Sequence, residues 1–221
     1  MLYIVSTPIG NLKDITLRAI ETLKSVDLIA AEDTRHTKIL CQHYDIVTPL
    51  TSYFEHNQIQ KAEYLLKFLK EGKSVALVTD AGTPGISDPG YPLIKLTQEN
   101  NIPITVIPGP TALIAALSLS GLPAHAFIFE GFLPVKSGAR RRKIEGWKSE
   151  ERTIIFYESP HRILKTLKDL EEVLENPTVV CARELTKKFE EVLKAPTTQL
   201  IEHFTKTAPR GEFVLLLNMA D

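Results

Sequence analysis

The chain has 221 residues, of which 43% are hydrophobic and 24% are charged, and its formal net charge is −1. This composition is ordinary for a globular protein of one or two domains, and the charge balance excludes a global basic field that draws the chain to nucleic acid. The only cysteines, Cys41 and Cys181, lie far apart and predict reduced thiols in a cytoplasmic protein. The start of the chain does not resemble a signal peptide, and the longest apolar region, residues 112–119, is too short to span a bilayer.

The first half alternates short apolar runs with helical patterns. Its strands are predicted at residues 2–5, 28–31, 48–52, 74–78 and 104–107. Its helices are predicted at residues 15–23 (with Asp14 or Thr16 as N-cap), 34–43, 59–70 and 91–99, followed by an apolar helix after Pro110. This order indicates a mostly parallel sheet with helices on both faces, and ligands of such sheets bind at the carboxyl ends of the strands.

The pattern pauses at residues 119–123, so we predict two α/β domains, residues 1–120 and 121–221. The second half has predicted strands at residues 127–130, 153–157, 179–182, 190–193 and 212–217. Its helices are predicted at residues 139–148, 162–175 and 197–204. The strands around Val179 and Val192 are close enough in sequence to pair as a hairpin, which makes this second sheet mixed.

The loop of residues 79–90 is the most unusual segment, because it combines three glycines and two prolines directly after a buried strand. Glycine permits close approach of the backbone to a ligand, and proline stiffens the loop. A plain connecting loop in which Ser87 or Asp88 caps the next helix is the structural alternative. The sequence has no GxGxxG, P-loop or GxSxG motif, and its six histidines show no metal-ligand spacing, so we expect no metal and treat each histidine as a surface or hydrogen-bonded residue.

Seven strings in order resemble the tetrapyrrole methylase superfamily, also called class III methyltransferases, over essentially the whole chain. They are residues 6–16, 31–36, 78–90, 107–112, 131–134, 157–162 and 182–187. Within the superfamily they are most similar to the branch that methylates RNA of the small ribosomal subunit. The first loop, STPIGN, departs from the GxGPGD pattern of the corrin and uroporphyrinogen enzymes.

The resemblance implies S-adenosylmethionine bound in a cleft between the two domains, a homodimer, and methylation of a ribose 2′-hydroxyl on a cytidine of 16S rRNA in the decoding centre. By motif position, the cofactor-binding residues are Pro8, Asp80, Ala81, Gly82, Thr83, Ile86, Ser87, Thr111, Ala112, Phe132, Leu133, Tyr157 and Ala182. Two rival functions stay open: methylation of a small tetrapyrrole-like molecule, and a non-catalytic RNA-binding factor that retains the fold.

A ribose hydroxyl reacts readily only as it loses its proton, and a positioned base typically contributes ~10²–10⁴-fold to the rate. The candidates are Glu32, Asp33 and Glu158, each just after a predicted strand. Structural roles compete with this one: Asp33 can cap the next helix, and Glu32 can pair with Arg35. Positioning of the acceptor without a dedicated base is a further possibility.

Contact with RNA phosphates requires cations, and residues 136–143 contain five of them. The predicted RNA-binding residues are Arg35, Lys136, Arg140, Arg141, Arg142, Lys143, Arg162, Arg183 and Lys187. A solvated helix start is the alternative for the basic run, and a structural role is the alternative for Arg183.

Overall fold

The computed structural model describes residues 1–220, which form two compact units, residues 1–111 and 112–220. The first unit contains strands β1 (Leu2–Val5), β2 (Leu28–Ala31), β3 (Leu50–Ser52), β4 (Val75–Val78) and β5 (Ile104–Ile107). Its helices are α1 (Leu17–Ser25), α2 (Thr34–His43), α3 (Gln58–Lys70) and α4 (Tyr91–Glu99), and a short 3-10 turn covers Leu12–Asp14.

The five strands of this unit form one parallel sheet in the order β3-β2-β4-β1-β5. Every residue of β2 and β4 is buried, because helices cover both faces of the sheet. One apolar cluster contains Leu23 of α1 and Leu40 of α2, and another contains Leu65 of α3 and Leu93 of α4. The carboxyl ends of the strands therefore form an edge between two helical layers.

Thr16, and not Asp14, caps α1: its side chain accepts a hydrogen bond from the backbone N–H of Ala19 at 3.1 Å. The helix consequently begins at Leu17, two residues after the predicted start. Asp14 ends the preceding 3-10 turn. The other elements of this unit agree with the predicted ones to within two residues.

The second unit contains strands β6 (Phe127–Phe132), β7 (Thr153–Glu158), β8 (Thr178–Arg183), β9 (Glu191–Pro196) and β10 (Phe213–Leu217). Its helices are α5 (Ala112–Ser120), α6 (Ser137–Glu145), α7 (Ile163–Leu174) and α8 (Thr197–Lys206). The sheet order is β6-β7-β10-β8-β9, with β6 parallel to β7 and all other pairs antiparallel. The predicted α/β class, with a parallel sheet followed by a mixed one, is confirmed.

Helix α5 lies with the second unit, because it packs against β7, β9 and β10. The compact units therefore divide before this helix, whereas the predicted boundary at residues 119–123 follows it. The sequence shows the pause in the pattern but not the sheet on which the apolar helix packs. None of the helices within residues 1–220 is long and apolar enough to cross a membrane.

Candidate functional site

The loops that follow β1 and β4 are joined by a pair of backbone hydrogen bonds. The N–H of Thr7 donates to the carbonyl of Gly82 at 2.9 Å, and the N–H of Gly82 donates to the carbonyl of Thr7 at 3.1 Å. The hydroxyl of Thr7 also donates to the carbonyl of Thr79 at 2.9 Å. Loops separated by most of the first unit in sequence thus form one structure at the carboxyl edge of the parallel sheet.

A chain of three hydroxyl groups extends this structure to the loop after β5. Ser6 Oγ lies 2.8 Å from Thr83 Oγ1, which in turn lies 2.8 Å from Thr111 Oγ1. Gly109 passes so close to Ser6 that a Cβ at position 109 would lie 2.9 Å from the Ser6 Cβ. The loops after β1, β4 and β5 therefore meet here, as expected for the strand ends of a parallel sheet.

The loop of residues 79–90 depends on glycine at particular positions. Gly82 has a φ of +86° and Gly85 a φ of +83°, in the left-handed region that favours glycine. A Cβ on Gly90 would lie 2.9 Å from the backbone N of Gly85, so the loop folds tightly on itself. Gly90 occupies the N-cap position of α4, so neither Ser87 nor Asp88 is its N-cap residue.

Acidic side chains gather where the loops after β2 and β4 meet. Glu32 Oε2 accepts hydrogen bonds from the Thr79 hydroxyl at 2.5 Å and from the Asp80 N–H at 3.2 Å. Asp80 Oδ1 accepts from the N–H of Asp33 at 3.1 Å. Burial, and then the nearby Glu32 carboxylate, raises the pKa of Asp80 above its ordinary value. This corner consequently attracts a cation.

Asp33 has the structural role of a helix cap. Its carboxylate accepts from the backbone N–H of Arg35 at 2.8 Å, which caps α2, and it also pairs with the Arg35 guanidinium. Hydrogen bonds from Arg35 hold the pKa of Asp33 far below its ordinary value. Such a carboxylate is a poor proton acceptor, because Brønsted behaviour favours a base whose pKa lies near the working pH.

Glu158 is also occupied by structural contacts, and its side chain is 0% exposed. It accepts hydrogen bonds from the hydroxyl of Thr166 at 2.6 Å and from the N–H of Ser159 at 2.8 Å, and it lies 3.2 Å from Arg162 Nε. A carboxylate without exposed surface cannot touch a substrate in this structure. The expectation that Glu158 supplies the base is corrected on this ground.

A pocket beside the acidic corner brings in a residue that the sequence did not single out. It is lined by Thr7, Pro8, Leu12, His36, Thr37, Ile39, Leu40, Thr79 and Asp80. His36, on the first turn of α2, places its Nδ1 3.6 Å from Asp80 Oδ1. Its place as the last residue of the 31–36 string was the only signal in the sequence, because nothing local shows that α2 and the loop after β4 are neighbours.

The predicted cofactor residues of the second unit differ in exposure. Phe132 and Tyr157 are accessible and form edge contacts with ring centroids 5.7 Å apart. Leu133 and Ala182 are each only 1% exposed, because their side chains lie in the core of this unit. These two residues offer a ligand little besides their backbone atoms.

The basic run of residues 136–143 does not act as one surface. Arg140 is buried, and its guanidinium forms an ion pair with the equally buried Asp169, with Nη2 2.5 Å and Nε 2.7 Å from the carboxylate. Arg141 pairs with Glu172, and Lys143 lies 2.6 Å from Glu130. Arg140 is therefore corrected from an RNA contact to a core residue.

The side chains of Lys136 and Arg142 are exposed and have no hydrogen-bond or ion-pair partner among the described residues. The other predicted RNA contacts have acidic or carbonyl partners. Arg35 pairs with Asp33, Arg162 donates to the carbonyl of Leu133 at 2.6 Å, Arg183 lies 3.3 Å from Glu191, and Lys187 bridges Glu184 and Glu212. Arg35 alone of these four is largely exposed. No group of three or more metal-ligating side chains occurs within residues 1–220.

The sequence profile of the family described as Tetrapyrrole (Corrin/Porphyrin) Methylases matches residues 1–201. The chain belongs to this family. A protein of Synechocystis sp. named ribosomal RNA small subunit methyltransferase I is 52% identical over 218 residues. The match covers 98% of the chain and 78% of the relative. A protein of the same name from Thermotoga maritima is 48% identical over 98% of the chain and 97% of its own length.

Solved structures of other methyltransferases share the fold of this tetrapyrrole methylase. Cobalt precorrin-4 methyltransferase superimposes with a TM-score of 0.71 at 19% identity, covering 99% of this chain and 94% of the other. Uroporphyrin-III C-methyltransferase from Thermus thermophilus, solved in complex with S-adenosylhomocysteine, gives a TM-score of 0.68 at 18% identity, over 99% and 98% of the two chains. At these identities the likeness establishes the fold alone.

Proposed function

We propose that this chain uses S-adenosylmethionine to methylate the ribose 2′-hydroxyl of a cytidine in 16S rRNA of the small ribosomal subunit. The observation that carries the proposal is the 48–52% identity, over 98% of the chain, to proteins named ribosomal RNA small subunit methyltransferase I. The choice of a ribose hydroxyl on a cytidine rests on the resemblance of the seven strings to that branch.

The joined loops of the first unit fit a cationic nucleoside. Gly82 lies at the centre of the joined loops with no side chain to fill the space beside Ile9 and Pro110, and Thr83 and Thr111 supply hydroxyl groups. The half-exposed Asp80 carboxylate favours a positive charge nearby. When bound, S-adenosylmethionine supplies an electrophilic methyl group on a sulfonium.

The residues proposed to hold the cofactor fall into two sets. From the first unit they are Pro8, Asp80, Ala81, Gly82, Thr83, Ile86, Ser87 and Thr111. From the second unit they are Ala112, Phe132 and Tyr157 through side chains, and Leu133 and Ala182 through the backbone.

Exposed basic side chains support the RNA part of the proposal. Lys136 and Arg142 can neutralise phosphates without first breaking an ion pair, and Arg35 is highly exposed despite its contact with Asp33. Because phosphate contacts position RNA without reading its sequence, the choice of nucleotide has to come from other contacts. On the family resemblance alone, we also propose that the chain acts as a homodimer in the cytoplasm, and light scattering of the purified protein tests the dimer.

The decisive experiment supplies radiolabelled S-adenosylmethionine together with small ribosomal subunits that lack the modification, with free rRNA, or with free tetrapyrrole. We expect label on one ribose of 16S rRNA, mapped by resistance of the adjacent phosphodiester to alkaline cleavage. Label on a base contradicts the ribose assignment. Transfer to the pigment supports the small-molecule enzyme, and bound cofactor without any transfer supports a non-catalytic factor.

A further inference from the structure

The pocket beside the acidic corner has the composition of a proton-transfer site. Of its nine lining residues, only His36 and Asp80 are titratable, and they come from different elements, the first turn of α2 and the loop after β4. The remaining lining residues supply apolar carbon and three hydroxyl groups. An imidazole and a carboxylate side by side in such a recess can take up a proton and hold it.

The two nitrogens of His36 have different surroundings. Nδ1 lies 3.6 Å from Asp80 Oδ1, whereas Nε2 has no partner among the described residues, and 58% of the side chain is exposed. The 3.6 Å separation is longer than a hydrogen bond, but such contacts of catalytic groups are often long until substrate binds. A carboxylate facing Nδ1 favours the tautomer with the proton on Nδ1, which leaves Nε2 as the acceptor.

We propose that His36 is the general base that accepts the proton of the target ribose hydroxyl, and that Asp80 is the positioning residue that orients its imidazole. This inference rests on the proposed function and adds to it the residue that activates the acceptor. It differs from the three carboxylates suggested by the sequence.

The contacts of the competing carboxylates favour His36. Asp33 is committed to Arg35 and to the N-terminus of α2, and Glu158 has no exposed surface. Glu32 Oε2 already accepts two hydrogen bonds, from Thr79 and Asp80. His36 has an unpartnered acceptor nitrogen in a pocket next to the proposed cofactor loops.

The proposed step is balanced without a further reactant. The hydroxyl proton passes to Nε2 of His36 while the ribose oxygen forms its bond to the methyl carbon. The carbon–sulfur bond breaks, and its electron pair stays on the sulfur as a neutral thioether. The imidazolium then releases its proton to water, to which the exposed side of the ring has access.

The first test compares single-turnover methylation by the wild type, His36→Gln and His36→Ala at saturating cofactor and RNA. We expect a loss of ~10²–10⁴-fold in both variants, with cofactor affinity by calorimetry within twofold of wild type. Free imidazole should restore part of the rate of His36→Ala, since the site is open to solvent. The matched control is His43→Gln on the last turn of the same helix, which should keep the wild-type rate.

The dependence on pH separates a base from a merely structural histidine. The charged groups around the ring are Asp80, Asp33, Arg35 and, behind Asp80, Glu32. The wild-type rate should fall as the pH is lowered, because a protonated imidazole cannot accept a proton, and His36→Gln should lack this fall. The role of His36 as the base is overturned if His36→Gln keeps the wild-type rate. It is also overturned if both variants lose the same fraction of the rate and free imidazole restores none of it in His36→Ala.

A readout without turnover keeps the inference separate from the proposed function. Nitrogen-15 NMR of the free wild-type protein should show neutral His36 protonated on Nδ1, and Asp80→Asn should change that tautomer balance. Protonation mainly on Nε2, or no response to Asp80→Asn, contradicts the positioning role of Asp80. If instead the wild type transfers no methyl group to rRNA, the proposed function fails while the NMR result stands.

Discussion

Replacing Gly82 with alanine tests the joined loops directly. The φ of +86° lies in the left-handed region, where an L-residue costs about 1–2 kcal/mol. The new Cβ would lie 3.6 Å from Ile9 Cγ2 and 3.7 Å from the Pro110 carbonyl oxygen, which are ordinary contacts. The cost of the substitution is therefore confined to the backbone conformation.

The loop has two ways to respond, and both have a similar cost. It can keep its conformation and bear the strain, or it can relax and lose its two backbone hydrogen bonds to Thr7, each worth about 0.5–1.5 kcal/mol. A loss of about 1–3 kcal/mol is below the usual 5–15 kcal/mol of unfolding free energy, so the protein should still fold. At about 2–4 °C per kcal/mol for a chain of this size, the Tm should fall by roughly 2–12 °C.

Affinity for S-adenosylmethionine should fall to the extent that the loop relaxes. The relaxed loop is favoured by at most about 1 kcal/mol, the difference between a strain of about 2 kcal/mol and hydrogen bonds worth about 1 kcal/mol, so the apparent Kd should rise by up to about 6-fold. Gly82→Val adds two methyl groups next to Ile9 and the Pro110 carbonyl, and it should abolish binding while leaving the fold.

Isothermal calorimetry measures the affinity, and Gly72→Ala is the matched control. Gly72 has a φ of +82° with nothing within 4 Å of the new Cβ, and it lies before β4, at the other end of that strand from Gly82. It should show the same loss of Tm with unchanged affinity. Unchanged affinity in both Gly82 variants would refute the placement of the cofactor at these loops. A loss of affinity in Gly72→Ala equal to that in Gly82→Ala would refute it too.

Three further outcomes follow from the charged groups. Asp169→Leu leaves the Arg140 guanidinium buried without its partner and should lower the free energy of unfolding by about 3–5 kcal/mol in denaturant titrations, whereas adding Arg140→Met should restore most of the loss. Asp80→Asn should weaken cofactor binding and slightly raise the Tm at neutral pH. Folding raises the pKa of Asp80, so its carboxylate lowers the free energy of unfolding at pH values above the unfolded pKa of 3.8. The gain in Tm should therefore vanish in melts below that pH. Lys136→Ala and Arg142→Ala should each weaken RNA binding and reduce the slope of log affinity against log salt by about 1, and an unchanged slope would remove that residue from the RNA interface.

Local sequence determined the elements and the loops. The continuous apolar runs of β2 and β4 are typical of strands buried on both faces, and the glycines of residues 79–90 match the left-handed backbone found there. Helix α4 begins and ends at the predicted residues. These features depend on neighbours in the chain, and periodicity and backbone conformation report such neighbours directly.

The tertiary structure alone decided which charged side chains stay available. In one basic run Arg140 is buried against Asp169, whereas Arg142 remains exposed, and the difference is set by α7, which supplies Asp169. His36 becomes a candidate only because α2 and the loop after β4 meet at Asp80. Pairings between distant segments follow from strand order and packing, and a single sequence does not encode them locally, so the partner of each charge had to come from the fold.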